Sequence, residues 1–450
     1  MPELALHDTR LGAKTPLVPR DPSRVGIYTC GPTVYGRAHV GNARHYVVFS
    51  LLKRFLSHQG YTVTLVSNLT DINDKIYAAA RAANIPSARL AEEMSAAYVA
   101  DTDALGLGRP DHEPTATGAM GEIIELITTL IDGGHAYVAD GDVYFSVGSY
   151  PRYGELSHRR LEDMDQGEGG EGVARKREPA DFALWKATKV GEDTAWDAPW
   201  GRGRPGWHIE CSAMAESLLG MGFEIHGGGS DLIFPHHENE AAQSGAAHGG
   251  DLARLWVHVG MVRTAAEKMS KSLANTFLLH EAVAAHGRDA LILYFVARHY
   301  RQPVEWSDAL MAEARENVRR LREAGRRLHS GPSPDWSGPL RDRFLAALAD
   351  DFNTPGALAM IWEWVREANR SDGPVGSDDL TEMLGLLGLE NLLVTEPAVL
   401  PSAVDEIVAA REQARTQRDW AEADRLRAAA RALGWEIRDG ADGPHVAPLT

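Results

Sequence analysis

The sequence predicts an α/β domain built on a parallel sheet, followed by an all-helical part. Three observations carry this. Val25–Cys30, a loop, the periodic Ala43–His58 and the β-rich Tyr61–Val66 read as a β–loop–α–β unit. Strand-like Phe223–His226 runs into three glycines, with a helix expected to start near Pro235. From Asp308 onward the apolar pattern is helical throughout.

In the first unit, Val25–Cys30 is a short apolar run. Val47, Val48, Leu51, Leu52 and Phe55 then recur at helical spacing. Such units pack as parallel sheets and place ligand loops at the carboxyl ends of the strands. Ile72–Ala83 and Glu122–Asp132 read as further helices, and Asp165–Arg177, rich in glycine and charge, as a mobile surface loop. The later helices are Asp308–Leu328, Arg341–Asp350, Pro355–Asn369, Leu380–Leu386 and Val404–Leu433. Breaks fall at Ser330–Gly338 and around Pro397–Ser402.

At 450 residues the chain is long enough for two to four domains of ~100–200 residues. No apolar run has the ~18–20 residues of a membrane helix, and Met1–Thr15 lacks a signal peptide's apolar stretch. Two cysteines make no disulfide framework, so a cytoplasmic protein is expected. A net charge of −17 argues against general nucleic-acid coating, yet leaves room for a specific RNA held on a local basic face. Arg315, Arg319, Arg320, Arg322, Arg326 and Arg327, interrupted only by Glu316 and Glu323 among acidic residues, offer such a face.

Four groups of residues have the chemistry of a site. Cys30 ends a strand before Gly31-Pro32, and Cys211 leads into a helix after Trp207-His208-Ile209-Glu210. Each alone is most often a small buried apolar residue. His236 and Glu240 share a helical face at i,i+4, as do His237 and Glu240 at i,i+3. Two thiolates, an imidazole and a carboxylate suit zinc, although the spacing matches no compact zinc-finger pattern. His39-Val40-Gly41-Asn42 precedes the first long helix, where a phosphate can be received. Lys268-Met269-Ser270-Lys271-Ser272 offers mobile positive charge suited to a pyrophosphate. His226-Gly227-Gly228-Gly229-Ser230-Asp231 permits close backbone approach to a nucleotide, or is a plain glycine turn.

Together these segments resemble the cysteinyl-tRNA synthetases over nearly the whole chain. The matching runs are Tyr28–Tyr35 with His39–Asn42, Asn68–Lys75, Gly203–Met214, His226–Glu240, Lys268–Ser272 and Asp351–Pro355, in family order. The resemblance implies a Rossmann-like catalytic domain over 1–305, with a connective insertion near 110–200 and the KMSKS loop. It implies a helical tRNA-binding bundle over 306–396 and a small carboxyl-terminal anticodon-binding region over 397–450. Exposed Trp or Arg in that last region could stack on anticodon bases, although Trp420 could equally be core.

By the same likeness the zinc ligands are Cys30, Cys211, His236 and Glu240. Gly31, Thr70, Trp207 and Asp231 form the amino-acid pocket, with Asp231 facing the substrate ammonium. His39 and Asn42 match the HIGH signature, and Lys268 and Lys271 the KMSKS signature; with His226, Gly227 and Gly228 they bind ATP. Asn42 departs from the signature's second histidine: it donates a hydrogen bond but cannot become cationic. The implied reaction activates L-cysteine with ATP and Mg²⁺, then transfers it to the 2′-OH of the terminal adenosine of tRNA(Cys). The implied protein is a monomer that engages no membrane. Two rival readings share much of this site. One is the cysteine ligase of mycothiol biosynthesis, which normally lacks the carboxyl-terminal RNA region. The other is a non-catalytic zinc- and nucleotide-binding RNA-interaction protein, against which the intact ligand and lysine sets argue.

Overall fold

A computed structural model describes residues 3–160, 175–264, 267–268, 277–393, 401–440 and 443–448. Its central sheet has four parallel strands, in the order Ala253–Val259, Phe223–Gly229, Arg24–Thr29, Thr62–Ser67. These strands are apolar on both faces because helices cover both; Val25, Ile27, Tyr28 and Ile225 are at most 1% exposed. From Arg24–Thr29 the chain crosses through the Val40–His58 helix to Thr62–Ser67. It later returns to the opposite side at Phe223. The strand order thus reverses between Arg24–Thr29 and Phe223–Gly229, which opens a crevice at their carboxyl ends.

Two local expectations change here. The first long helix starts at Val40, not Ala43, because His39 caps it. The three glycines are not a turn: the strand continues through Gly229, and its partner register runs on to Val259. A residue with a side chain is excluded there by the protein's own packing. A Cβ on Gly227 would lie 2.1 Å from the Phe49 ring, and one on Gly228 would lie 2.6 Å from His237.

Between the two halves of the parallel sheet lies a second, antiparallel sheet of Ala136–Ala139, Asp142–Phe145, Phe182–Ala187 and Gly203–Pro205. Phe145 and Phe182 stack there at 5.0 Å, in an apolar cluster that also takes in Tyr28, Cys30 and Cys211. Of the expected loop Asp165–Arg177, only Arg175–Arg177 falls within the described residues; Arg175 pairs with Asp142 and Arg177 lies over the Tyr137 ring.

The carboxyl-terminal part packs helices Asp308–Gly325, Ser337–Ala349, Thr354–Arg370 and Asp378–Leu386 around Phe344, Leu348, Ile361, Trp364 and Leu384. The single helix expected over Val404–Leu433 is two, Ser402–Thr416 and Trp420–Ala432, broken where Arg418 takes a positive φ of 59°. An antiparallel pair, Trp435–Gly440 with Gly443–Pro448, follows, so this end is not purely helical. On Asp308–Gly325 the arginines are largely committed within the protein. Arg319 pairs with Glu316 and Glu323, Arg322 with Asp289, and Arg320 lies over Trp362. That helix is therefore an ion-paired face rather than a row of free cations. Trp420 is not core: it is 59% exposed. Among the described residues no helix is long and apolar enough to cross a membrane.

Candidate active site

A cavity of about 250 Å³ opens at the carboxyl ends of the parallel strands. Cys30, Gly31, His39, Asn42, Trp207 and Asp231 all line it. Sequence-distant segments converge because each follows a strand end or opens a helix there.

At one end stands the start of the Val40–His58 helix. His39 has extended backbone angles; its Nδ1 accepts from the Asn42 amide at 3.3 Å, and the Asn42 Oδ1 accepts from the His39 amide at 3.1 Å. This reciprocal cap satisfies two backbone donors and fixes both signature side chains. It also orients Asn42: its oxygen is committed to the cap, so its NH₂ is the donor left for a ligand. The remaining amides and the helix dipole favour an anion at this end. Gly41 must be small, since a Cβ would come within 2.9 Å of the His39 ring.

At the other end, Cys30, Cys211, His236 and Glu240 are all buried and bring one ligand atom each within 4.8 Å of the others. Cys211 lies inside the Trp207–Leu219 helix, and Glu240 in the first turn of Glu238–His248. The ring of His236 stacks on Trp207 at 4.2 Å. Its Nδ1 meets Nδ1 of His208 at 2.9 Å, which leaves Nε2 facing Glu240 Oε1 at 3.0 Å. The other oxygen of Glu240 is taken by His226 Nε2 at 2.8 Å, and Cys30 Sγ lies 3.3 Å from Oε1. A second grouping, Cys30, His226, His237 and Glu240, meets the same distance criterion. There His226 Nε2 bonds Glu240, and His258 Nε2 meets His237 Nδ1 at 2.8 Å, which leaves His237 Nε2 3.9 Å from Glu240 Oε1.

Burial lowers the pKa of both His236 and His208 to about 3, so both rings are neutral, as metal ligation and its support require. Burial pushes both thiols up, Cys30 the more strongly. Two buried thiols, a neutral imidazole with one nitrogen held from behind, and a carboxylate with one oxygen held likewise fit a borderline-soft divalent cation.

The other expected site residues fall as follows. Thr70 is 1% exposed and does not line the cavity; its Oγ1 accepts from Asn68 Nδ2 at 3.2 Å. Gly31 donates to Asn68 Oδ1 at 2.9 Å, and a Cβ on it would strike the Asn68 carbonyl oxygen at 1.7 Å. His226, Gly227 and Gly228 are buried, His226 against Glu240. Lys268 ends a short strand paired with Arg263 of Val262–Thr264, which leads out of the pocket wall, while Lys271 lies outside the described residues. Sequence reasoning missed the supporting groups His208, Asn68 and His258. No periodicity could find them, because each meets its partner only in the folded molecule.

The fold is that of the class I aminoacyl-tRNA synthetases. Methionyl-tRNA synthetase of Mycobacterium tuberculosis bound by methionyl-adenylate superposes with a TM-score of 0.60 at 17% identity, over 89% of this chain and 96% of that one, a likeness of fold alone. The family model for the class I (C) catalytic domain of tRNA synthetases matches residues 16–316, that of the DALR domain 343–391, and that of the cysteinyl-tRNA ligase anticodon binding domain 398–446. The cysteine–tRNA ligase of Alkalilimnicola ehrlichii is 45% identical over 98% of both chains. That of Rubrobacter xylanophilus is 45% identical over 94% of this chain and 95% of its own. The chain belongs to the cysteine–tRNA ligase family.

Proposed function

We infer that the chain joins L-cysteine to tRNA(Cys) in two steps. The cysteine carboxylate attacks the α-phosphate of ATP and pyrophosphate leaves. The 2′-OH of the tRNA's terminal adenosine then attacks the acyl carbon and AMP leaves. No covalent enzyme intermediate is needed, so catalysis rests on positioning and charge stabilisation.

His39, the Asn42 NH₂ and the capped helix start hold the phosphates. Lys268 and Lys271 neutralise the departing pyrophosphate, and Mg²⁺ travels with ATP on its phosphate oxygens. Asp231 faces the substrate ammonium, and Gly31, Thr70 and Trp207 complete the amino-acid end. Cys30, Cys211, His236 and Glu240 would hold zinc, which supplies a preference for the substrate's sulfur over serine's oxygen. An apolar pocket separates such near-isosteres by only ~100-fold, whereas a dedicated polar site reaches ~10⁴–10⁵. The observation that carries this reading is the arrangement of one pocket, with a capped helix start at one end and a buried two-thiol cluster at the other.

The matched segments support a division of labour. Residues 1–305, with the insertion near 110–200, carry the chemistry, 306–396 bind the tRNA body, and 397–450 read the anticodon. The protein acts as a cytoplasmic monomer. Cysteine-dependent ATP–pyrophosphate exchange tests the reading, followed by charging of tRNA(Cys). Exchange with cysteine and not serine is expected; its absence from zinc-loaded protein overturns the assignment.

A further inference from the structure

Arg44 belongs to the Val40–His58 helix, two residues after Asn42, and is 1% exposed. Its Nη1 donates to the Gly260 carbonyl at 2.6 Å and its Nη2 to the His299 carbonyl at 3.1 Å. Burial lowers its pKa to about 10, so the guanidinium is charged at neutral pH. Among the described residues no carboxylate pairs with it. Burying a cation with no counter-charge is costly, and the two carbonyls it grips identify what is gained.

Both carbonyls stand at the base of the strand pair that carries Lys268. Gly260 N donates to Tyr300 O at 2.8 Å and Val304 N to Met261 O at 2.9 Å, so the two segments the fork spans are bonded to each other. They run on into Val262–Thr264 and Val304–Glu305, paired in parallel, and Arg263 lies opposite Lys268 in the antiparallel pair with Glu267–Lys268. The packing is close: a Cβ on Gly260 would come within 2.4 Å of the Gln302 carbonyl. Gly260 and Met261 also line the cavity that holds His39 and Asn42. Beyond Lys268 the chain meets the same helix start again. Val40 N donates to Phe277 O at 3.0 Å and Leu279 N to Ala38 O at 2.9 Å. Backbone bonds make that second tie, whereas on the Gly260 side the hydrogen bonds come from the Arg44 side chain.

We propose that Arg44 is a positioning residue for adenylate formation: its fork locks the helix start that holds the phosphates to the strand pair that carries Lys268, and so fixes the spacing at which the leaving pyrophosphate is met from both sides. A planar guanidinium spans two carbonyls at once, which a single ammonium cannot do. The amino-acid end is carried by other segments, those of Gly31, Trp207 and Asp231, so loss of the tie acts on the chemical step and not on cysteine binding. This inference rests on the reading of His39, Asn42 and Lys268 as phosphate-binding groups.

The test is Arg44→Met, which keeps an extended buried side chain without donors, beside Arg44→Lys, which keeps the charge without the fork. In cysteine-dependent pyrophosphate exchange, Arg44→Met should lower kcat by about 100-fold, the effect of misplacing a catalytic group by about 1 Å. KM for cysteine and bound zinc should stay at wild-type values. Arg44→Lys should remain well below the wild-type rate. Full recovery by lysine overturns the proposal, because charge alone then suffices. So does a wild-type kcat in Arg44→Met, or a loss of cysteine affinity that matches the loss of rate, which marks a packing role alone. Wild-type protein that shows no cysteine-dependent exchange overturns the proposed function itself, so the two failures are distinct.

Discussion

Asp351 joins three parts of the molecule, and its removal has a cost that can be worked from the contacts. Its buried carboxylate accepts from the His7 amide at 2.9 Å, from the Tyr300 hydroxyl at 2.8 Å and from Arg301 Nε and Nη2 at 2.8 and 2.6 Å. The Tyr300 backbone carbonyl accepts from the amide of Gly260, a pocket-lining residue. Asp351→Ala leaves the His7 N–H and the Tyr300 O–H unpaired, and each orphaned donor costs about 1–3 kcal/mol. The Arg301 side chain is 40% exposed and returns to water, so that pair adds only about 0–1 kcal/mol. Asp351 also holds a positive φ of 59°, which alanine adopts at a further cost of roughly 1–2 kcal/mol.

The total is about 3–9 kcal/mol. Asp351→Asn keeps an acceptor oxygen and tolerates the left-handed backbone, so it should cost only about 1–2 kcal/mol. Hydrogen exchange read at Ala5–Asp8 and around Tyr300 is the assay. At about 1.4 kcal/mol per tenfold, the alanine variant should lose protection there by at least about 100-fold, and the asparagine variant by about 10-fold. If both variants lose the same protection, charge rather than hydrogen bonding holds this joint and the accounting is wrong.

Three other outcomes are expected. Cys211→Ala should lose bound metal and weaken cysteine binding far more than ATP binding; calorimetry that finds the two affinities equally reduced would contradict the ligand role. Gly31→Ala drives a methyl against the Asn68 carbonyl, so the strand end must shift at a cost of about 1–3 kcal/mol; a wild-type KM for cysteine in pyrophosphate exchange would show that the close approach is not needed. Glu224 supplies the pH dependence. Burial acts to raise its pKa, but the amides of Arg20 and Gly26 and the Arg20 guanidinium outweigh it, so the folded value is lowered. A lowered folded pKa stabilises the protein above the unfolded value of about 4.3, and that contribution is lost as pH falls through the folded value. Melting curves of wild type and Glu224→Gln should therefore differ at pH 7 and converge in acid; a gap that does not narrow at all as the pH falls below the unfolded value would refute this.

By itself the sequence determined the parallel β–α–β opening, the helical second half and the donor types of the site. Those follow from periodicity and residue chemistry, which are carried locally along the chain. It did not determine where the first helix begins, since the cap depends on the reciprocal bonds of His39 and Asn42. Nor could spacing choose between His236 and His237, which both lie within a helical turn of Glu240. Tertiary structure alone gives each its setting: His208 meets His236 Nδ1 and leaves its Nε2 3.0 Å from Glu240 Oε1, while His258 takes His237 Nδ1 and leaves its Nε2 3.9 Å from the same oxygen. It also showed the glycine run to be strand, because Phe49 and His237 fill the space that side chains would need. Partners brought from distant parts of the chain set ring orientation and close packing, and no local pattern encodes them.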